Sequence, residues 1–126
     1  MRVIVESVES EPLRLVRAGS HLGPLTVTWE GELPQPGPHD VELEVPDAVE
    51  WGRRAWPAGD APEPTGEQGV QRLHGVLRDL DELGVATLEL GPTMLLVDTV
   101  GEPPLGTVDH AVIIDVVSLQ AYPYEL

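Results

Sequence analysis

Apolar and polar residues alternate strictly in two segments of the first half of the chain, residues 25–30 and residues 40–45. In the second segment, Val41 and Leu43 fall on one face and the acidic side chains fall on the other. This period of two is typical of a strand with one buried face. Residues 31–38 join the two segments and include three prolines, so the sequence predicts a hairpin with a long loop.

The same signals predict strands elsewhere in the chain. The predicted segments are residues 3–8, 13–16, 85–90, 94–100 and 108–119. Within the last of these segments, residues 112–119 are apolar on both faces, which indicates burial on both sides.

Residues 67–84 have a mixed pattern. Several apolar residues recur there at helical spacing, but Gly69 and Gly75 would each cost a helix about 1 kcal/mol relative to alanine. The pattern favours a strand over residues 73–80 and leaves one helix near residues 67–83 as the alternative.

Two loops with similar sequences lie about 70 residues apart. Residues 31–34 read Gly-Glu-Leu-Pro and residues 101–104 read Gly-Glu-Pro-Pro. Each loop is followed by a glycine, by an adjacent Asp and His, and by a strand rich in apolar residues. We interpret this similarity as an internal duplication of a four-strand meander.

The duplication divides a single domain, residues 1–126, into three parts. Residues 1–45 form a first β unit, residues 46–66 a connecting loop rich in proline and glycine, and residues 67–126 a second β unit. Trp51 and Tyr122 each follow the last predicted strand of one unit, so we expect them to cap equivalent ends of two similar structures.

Short strands broken by 13 glycines and 13 prolines predict an all-β fold. We expect a small barrel or sandwich of about eight strands, built from two similar four-strand halves and containing at most one helix. A strongly bent meander of this kind resembles OB-fold-type barrels. The resemblance covers most of the chain, but it is architectural and brings no motif that carries an activity.

Charge restricts the possible partners of the protein. The 126 residues include 22 acidic and 7 basic side chains, which gives a formal net charge of −15. Nucleic acids and anionic membranes are bound through lysine and arginine, so we expect neither as a partner. The sequence contains no cysteine, no apolar run long enough to cross a membrane and no signal-peptide pattern, which predicts a cytoplasmic protein. Arginine without lysine is typical of a GC-rich bacterial genome.

Residue patterns that carry catalysis or metal binding are missing from the sequence. No Gly-x-Ser-x-Gly motif, no lysine and no phosphate-binding glycine loop is present. The neighbours His39 and Asp40, and likewise Asp109 and His110, would point to opposite faces of a strand. Carboxylates two residues apart on a strand are separated by about 7 Å, too far to share a cation unaided. We therefore expect no enzymatic activity, catalytic residue, metal or cofactor.

Two groups of residues are candidates for binding a basic partner protein. The first is the acidic face of residues 40–45, and the second is the loop in which two tryptophans flank two arginines; tryptophan and arginine are enriched at interface hot spots. The candidate residues are Asp40, Glu42, Glu44, Glu50, Trp51 and Trp56.

In general character the chain resembles small acidic immunity or inhibitor proteins of bacteria. This resemblance implies a module that blocks a basic toxin or nuclease. The alternative is an assembly subunit that pairs with another copy through the apolar residues 112–119. A sugar or small-molecule site near the tryptophans is a third possibility.

Overall fold

The computed structural model describes residues 1–9, 14–67 and 69–124. This part of the chain contains eleven strands and one 3₁₀ turn, Ala58–Asp60, and it confirms the all-β prediction. The strands are β1 (Arg2–Glu9), β2 (Leu15–Gly19), β3 (Leu25–Trp29), β4 (Gly37–Glu44), β5 (Val49–Glu50), β6 (Ala55–Pro57), β7 (Gln71–Leu80), β8 (Val85–Leu90), β9 (Thr93–Val100), β10 (Ala111–Val116) and β11 (Gln120–Pro123). The ambiguous segment 73–80 is a strand, within β7. Leu13, which begins the predicted strand 13–16, lies outside the described residues.

The first sheet is a closed five-stranded barrel in the order β1-β2-β3-β11-β4. Its alternating strands direct one set of side chains into the barrel, where Val16, Val41 and Trp29 are almost completely buried. The opposite parity of the same strands faces outward and carries most of the polar and acidic residues.

The second sheet has six strands in the order β5-β9-β8-β7-β10-β6. A bridge between Trp51 and Ala55 connects the two edge strands, β5 and β6, so this sheet is also barrel-like. Its buried residues, Leu77, Leu88 and Val97 among them, belong to the same hydrophobic cluster as the interior of the first barrel.

The two sheets have corresponding strand registers. The ladder between β1 and β2 shifts between Val5 and Ser7, and the ladder between β7 and β8 shifts at the corresponding place, between Leu77 and Asp79. The fourth strand of each half pairs with the first, β4 with β1 and β10 with β7. The two meanders are therefore equivalent strand by strand.

The strand that completes each barrel comes from the other half of the chain. In the first barrel, β11 runs parallel to β3 and antiparallel to β4. In the second barrel, β5 runs parallel to β9 and β6 antiparallel to β10. The segment that follows β4 thus completes the second barrel, and the segment that follows β10 completes the first.

Two features of the sequence prediction are corrected by this exchange. Residues 108–119 do not form one long strand, because β10 ends at Val116 in the second barrel and β11 begins at Gln120 in the first. Residues 46–66 are not only a loop, because β5 and β6 bury Val49 and Ala55 in the core. These added strands have two to four residues, too few for an alternating pattern, which explains why eleven strands are observed rather than about eight.

Candidate functional site between the two barrels

The three acidic residues predicted on the β4 face are all exposed. Alternation places Val41 and Leu43 inside the barrel and the carboxylates outside. Asp40 is paired with Arg2 of the neighbouring β1, with 3.2 Å between Arg2 Nε and Asp40 Oδ1. Hydrogen bonding from this guanidinium lowers the pKa of Asp40. The charge of Asp40 is thus partly neutralised within the protein.

Glu42 and Glu44 border a groove between the outer face of β4 and strand β9 of the second barrel. The groove has a volume of about 420 Å³. Its lining residues are Glu42, Leu43, Glu44, Val45, Pro46, Val85, Met94, Leu96 and Asp98. Both barrels contribute to it, so the groove depends on how the two halves pack.

Two large apolar side chains of β9 are exposed at this groove. Met94 is 54% exposed and Leu96 is 63% exposed, because Leu95 and Val97 take the inward positions of the strand. Apolar side chains that cluster in a groove with a polar rim are typical of interaction surfaces.

The rim of the groove is negative. Glu42, Glu44 and Asp98 are exposed, and within the described residues none of them forms an ion pair. Among the residues that the structure describes, no arginine or histidine lines the groove. Three carboxylates without a neutralising partner create a local field that attracts cations.

Tyr122 of β11 lies beside this rim, directly opposite Glu42 in the antiparallel ladder. Its hydroxyl donates to Gln120 Oε1 at 3.0 Å. Burial raises the pKa of Tyr122, and the nearby carboxylates of Glu44 and Glu30 raise it further. The pKa of the Tyr122 phenol therefore depends on the negative charge near the groove.

The other three predicted residues lie in the second barrel, away from this groove. Glu50 is exposed, and its carbonyl accepts the backbone N–H groups of Arg53 and Arg54, which holds the turn between β5 and β6. Trp51 and Trp56 are only 8% and 9% exposed, so packing dominates their role. The structure therefore does not bring the six predicted residues into one site.

Trp51 and Trp56 border a second groove, of about 620 Å³, with Pro103, Pro104 and Leu105. The indole Nε1 of Trp51 is buried without a hydrogen-bond partner among the described residues. The ring of Trp56 lies 5.6 Å from the guanidinium carbon of Arg72. That guanidinium also binds Asp115 in a bidentate pair, at 2.8 and 3.0 Å, so Trp56 is part of a structural cluster.

Sequence reasoning missed Met94, Leu96 and Asp98 as candidate site residues. A signal for the first two was present, because residues 94–97 are apolar at four successive positions and one parity of a half-buried strand must then expose apolar side chains. The position of β4 across the groove had no sequence signal, since it depends on the packing of two barrels.

Histidine and acidic side chains are the groups in this chain that could form a metal cluster or a His–Asp pair. The described residues contain no group of three or more histidine, aspartate or glutamate side chains arranged to hold a metal ion. His39 packs edge-on against Trp29 and contacts the carbonyl of Gln35, while Asp109 pairs with Arg78. Neither His39 nor Asp109 takes part in a His–Asp pair.

In the described chain no helix has the length and apolar character needed to cross a membrane.

Comparisons of the chain with protein-family models, with curated protein sequences and with solved structures find no significant match.

Proposed function

We propose that the protein is a non-enzymatic binding module that engages a basic partner protein through the groove between β4 and β9. The observation that carries this proposal is the combination of three unpaired carboxylates, Glu42, Glu44 and Asp98, with the exposed side chains of Met94 and Leu96. Carboxylates alone are common on a solvated surface, whereas carboxylates around an exposed apolar strip fit a cationic, partly apolar ligand.

The two kinds of side chain have different roles in the proposed complex. The net charge of −15 speeds encounter with a basic protein, and the groove carboxylates orient it. Burial of Met94 and Leu96 then slows dissociation, since the lifetime of a complex depends mainly on desolvated contacts near its centre.

We further propose that both barrels are of the OB type, a five-stranded Greek-key barrel, each completed by a segment of the other half. The closed strand order of the first barrel and its equivalence with the second support this assignment. Such barrels often bind oligonucleotides. An acidic groove without arginine favours a protein ligand instead, and a cytoplasmic bacterial immunity or inhibitor protein is the role that fits these properties best.

The alternative role, self-association through residues 112–119, has less support. β10 is paired with β7 on one side and with β6 on the other. Val112, Ile114 and Val116 are buried in the core. This strand therefore has little free edge to offer a second copy.

The proposal is tested with a short peptide of alternating lysine and valine residues, whose binding is measured by fluorescence anisotropy at increasing salt. The triple variant Glu42→Lys, Glu44→Lys, Asp98→Lys should bind at least about tenfold more weakly than wild type at low salt, a loss of about 1.4 kcal/mol.

A matched control carries the same change of net charge elsewhere: Glu6→Lys, Glu32→Lys, Glu82→Lys, all exposed positions outside the groove. This control should lose only a small part of the affinity. If both triple variants lose affinity equally, net charge rather than the groove determines binding, and the proposed site is wrong. If the wild-type protein does not bind the peptide, the proposed function is wrong.

A further inference from the structure

Strand β9 has a free edge along most of its length. On one side it pairs with β8 from Thr93 to Asp98. On the other side it pairs only with the short β5, at Thr99 and Val100. No other strand of the described chain pairs with β9. The residues of this free edge, Met94, Leu96 and Asp98, line the groove, and β4 lies across it.

Hydrogen bonds at the end of β9 show which backbone groups point to this edge. The N–H of Thr99 donates to the carbonyl of Gly84, on the β8 side, whereas the carbonyl of Val100 accepts from Trp51, on the β5 side. Successive residues of a strand direct their backbone groups to opposite edges. The N–H and C=O groups of Met94, Leu96 and Asp98 therefore point to the free edge.

The equivalent edge in the first barrel is occupied. Thr26 corresponds to Leu96, since each has the same position in its hairpin ladder, opposite Arg17 and Thr87 respectively. The side-chain amide of Gln71 accepts from Thr26 N–H at 2.7 Å and donates to its carbonyl at 2.6 Å. One glutamine thus pairs with the edge of β3 as a neighbouring strand would. No side chain of the described residues forms a hydrogen bond with the backbone of Met94, Leu96 or Asp98.

Three of the usual devices that protect a strand edge are missing from β9. Natural edges are blocked by proline, by lysine, by bulges or by a covering element. β9 contains no proline, no lysine and no register shift against β8. Two of the three outward residues along the free edge are apolar, Met94 and Leu96.

We propose that the basic partner docks by adding an extended segment to the free edge of β9 as a further strand. This inference rests on the proposed function and specifies how the groove is used. Strands added to a sheet edge gain affinity from main-chain hydrogen bonds and specificity from alternate side chains. In the added segment, lysine or arginine takes the alternate positions on the face of Met94, Leu96 and Asp98. Its charge then faces the carboxylates, and its aliphatic stem covers the two apolar side chains.

Backbone N-methylation of the lysine–valine peptide tests this geometry. In an added strand, alternate N–H groups point to β9 and the others point away. One peptide is methylated at its lysines and a second at its valines. Exactly one of the two should lose binding by at least about tenfold, and the other should bind like the unmodified peptide. Equal affinities of the two methylated peptides, both retained or both lost, would overturn the inference.

A variant of the protein supplies an independent test. Leu96→Pro removes one N–H from the free edge without removing a hydrogen bond to β8, a position at which proline is tolerated in a sheet. Leu96→Ala is the control, because it removes the side chain and keeps the N–H. Leu96→Pro should reduce affinity well beyond the loss in Leu96→Ala, with far-UV circular dichroism unchanged. If Leu96→Pro does not fold, strand addition is still tested by the binding of the two methylated peptides to the wild-type protein.

Peptide binding without strand addition and a complete lack of peptide binding give different results. If the unmodified peptide binds and the groove charges matter, but methylation has no directional effect, strand addition is wrong and the acidic groove remains. If the unmodified peptide does not bind, the proposed function itself is wrong.

Discussion

Tyr122 is a natural probe of the charge around the groove. Its phenol lies across the ladder from Glu42, and its pKa is raised by burial and by the Glu44 and Glu30 carboxylates. Burial and neighbouring negative charge both disfavour the phenolate, so each contribution acts in the same direction. Removing one carboxylate should then remove only part of the shift.

We expect Glu44→Gln to lower the pKa of Tyr122 toward the ordinary value of a tyrosine, without reaching it, because the contribution of burial remains. The measurement is an ultraviolet titration of the phenolate in a Tyr124→Phe background, which leaves Tyr122 as the only tyrosine. Glu82→Gln, in an exposed turn, is the control and should leave the titration unchanged. An unchanged or higher pKa of Tyr122 in Glu44→Gln would contradict the contribution of the Glu44 carboxylate.

Alternation made most of the strands predictable, and the reason is visible in β4. Its apolar residues face a core and its acids face solvent, so the period of two survives in the sequence. β10 is different, because Val112, Ile113 and Ile114 are all buried and the strand shows no period. Such an apolar run contains no signal for the boundary between two strands. The end of β10 in the second barrel and the start of β11 in the first therefore could not be predicted.

Gly75 has a structural role that the sequence does not reveal. In the sequence it only disfavours a helix. In β7 a Cβ at this position would lie 2.5 Å from Leu90 Cδ2 and 2.8 Å from the carbonyl oxygen of Glu89. The first contact could be relieved by a rotamer change, but the second is with the backbone of β8. Close packing of β7 on β8 therefore requires glycine here.

Gly75→Ala should lower the free energy of unfolding by about 1–3 kcal/mol, the usual cost of forcing an extra carbon into a packed site. Gly59→Ala is the matched control, since a Cβ there would meet no atom within 4 Å, and its stability should be near that of wild type. Urea denaturation followed by circular dichroism gives both values. Equal stability of the two variants would show that β7 and β8 are not packed as described.

The exchange of completing strands couples the two halves of the molecule. Neither half forms a closed sheet without a segment from the other, and the two interiors form one hydrophobic cluster. The two loops of similar sequence indicated two similar halves, but the exchange had no sequence signal, because the barrel that β5, β6 and β11 join depends on tertiary packing. The groove also depends on tertiary packing, because β4 of the first barrel and β9 of the second form it.

We expect the two barrels to unfold in a single transition. Trp29 lies in the first barrel, whereas Trp51 and Trp56 lie in the second. One variant keeps only Trp29 (Trp51→Phe, Trp56→Phe), and another keeps only the second pair (Trp29→Phe). In each variant the fluorescence and circular dichroism curves in urea should coincide, as two-state unfolding requires. A fluorescence midpoint displaced from the circular dichroism midpoint, in opposite directions in the two variants, would indicate independent barrels.

Binding at the groove is tested most directly by nuclear magnetic resonance of the labelled wild-type protein titrated with the lysine–valine peptide. The amide resonances of Met94, Leu96 and Asp98 should shift and their hydrogen exchange should slow, with smaller shifts at Glu42 and Glu44. Amides near Trp51 and Trp56 should be little affected. Shifts centred on the tryptophan groove, or scattered over the acidic surface with no slowing of exchange along β9, would contradict an acidic module that captures its partner between the barrels.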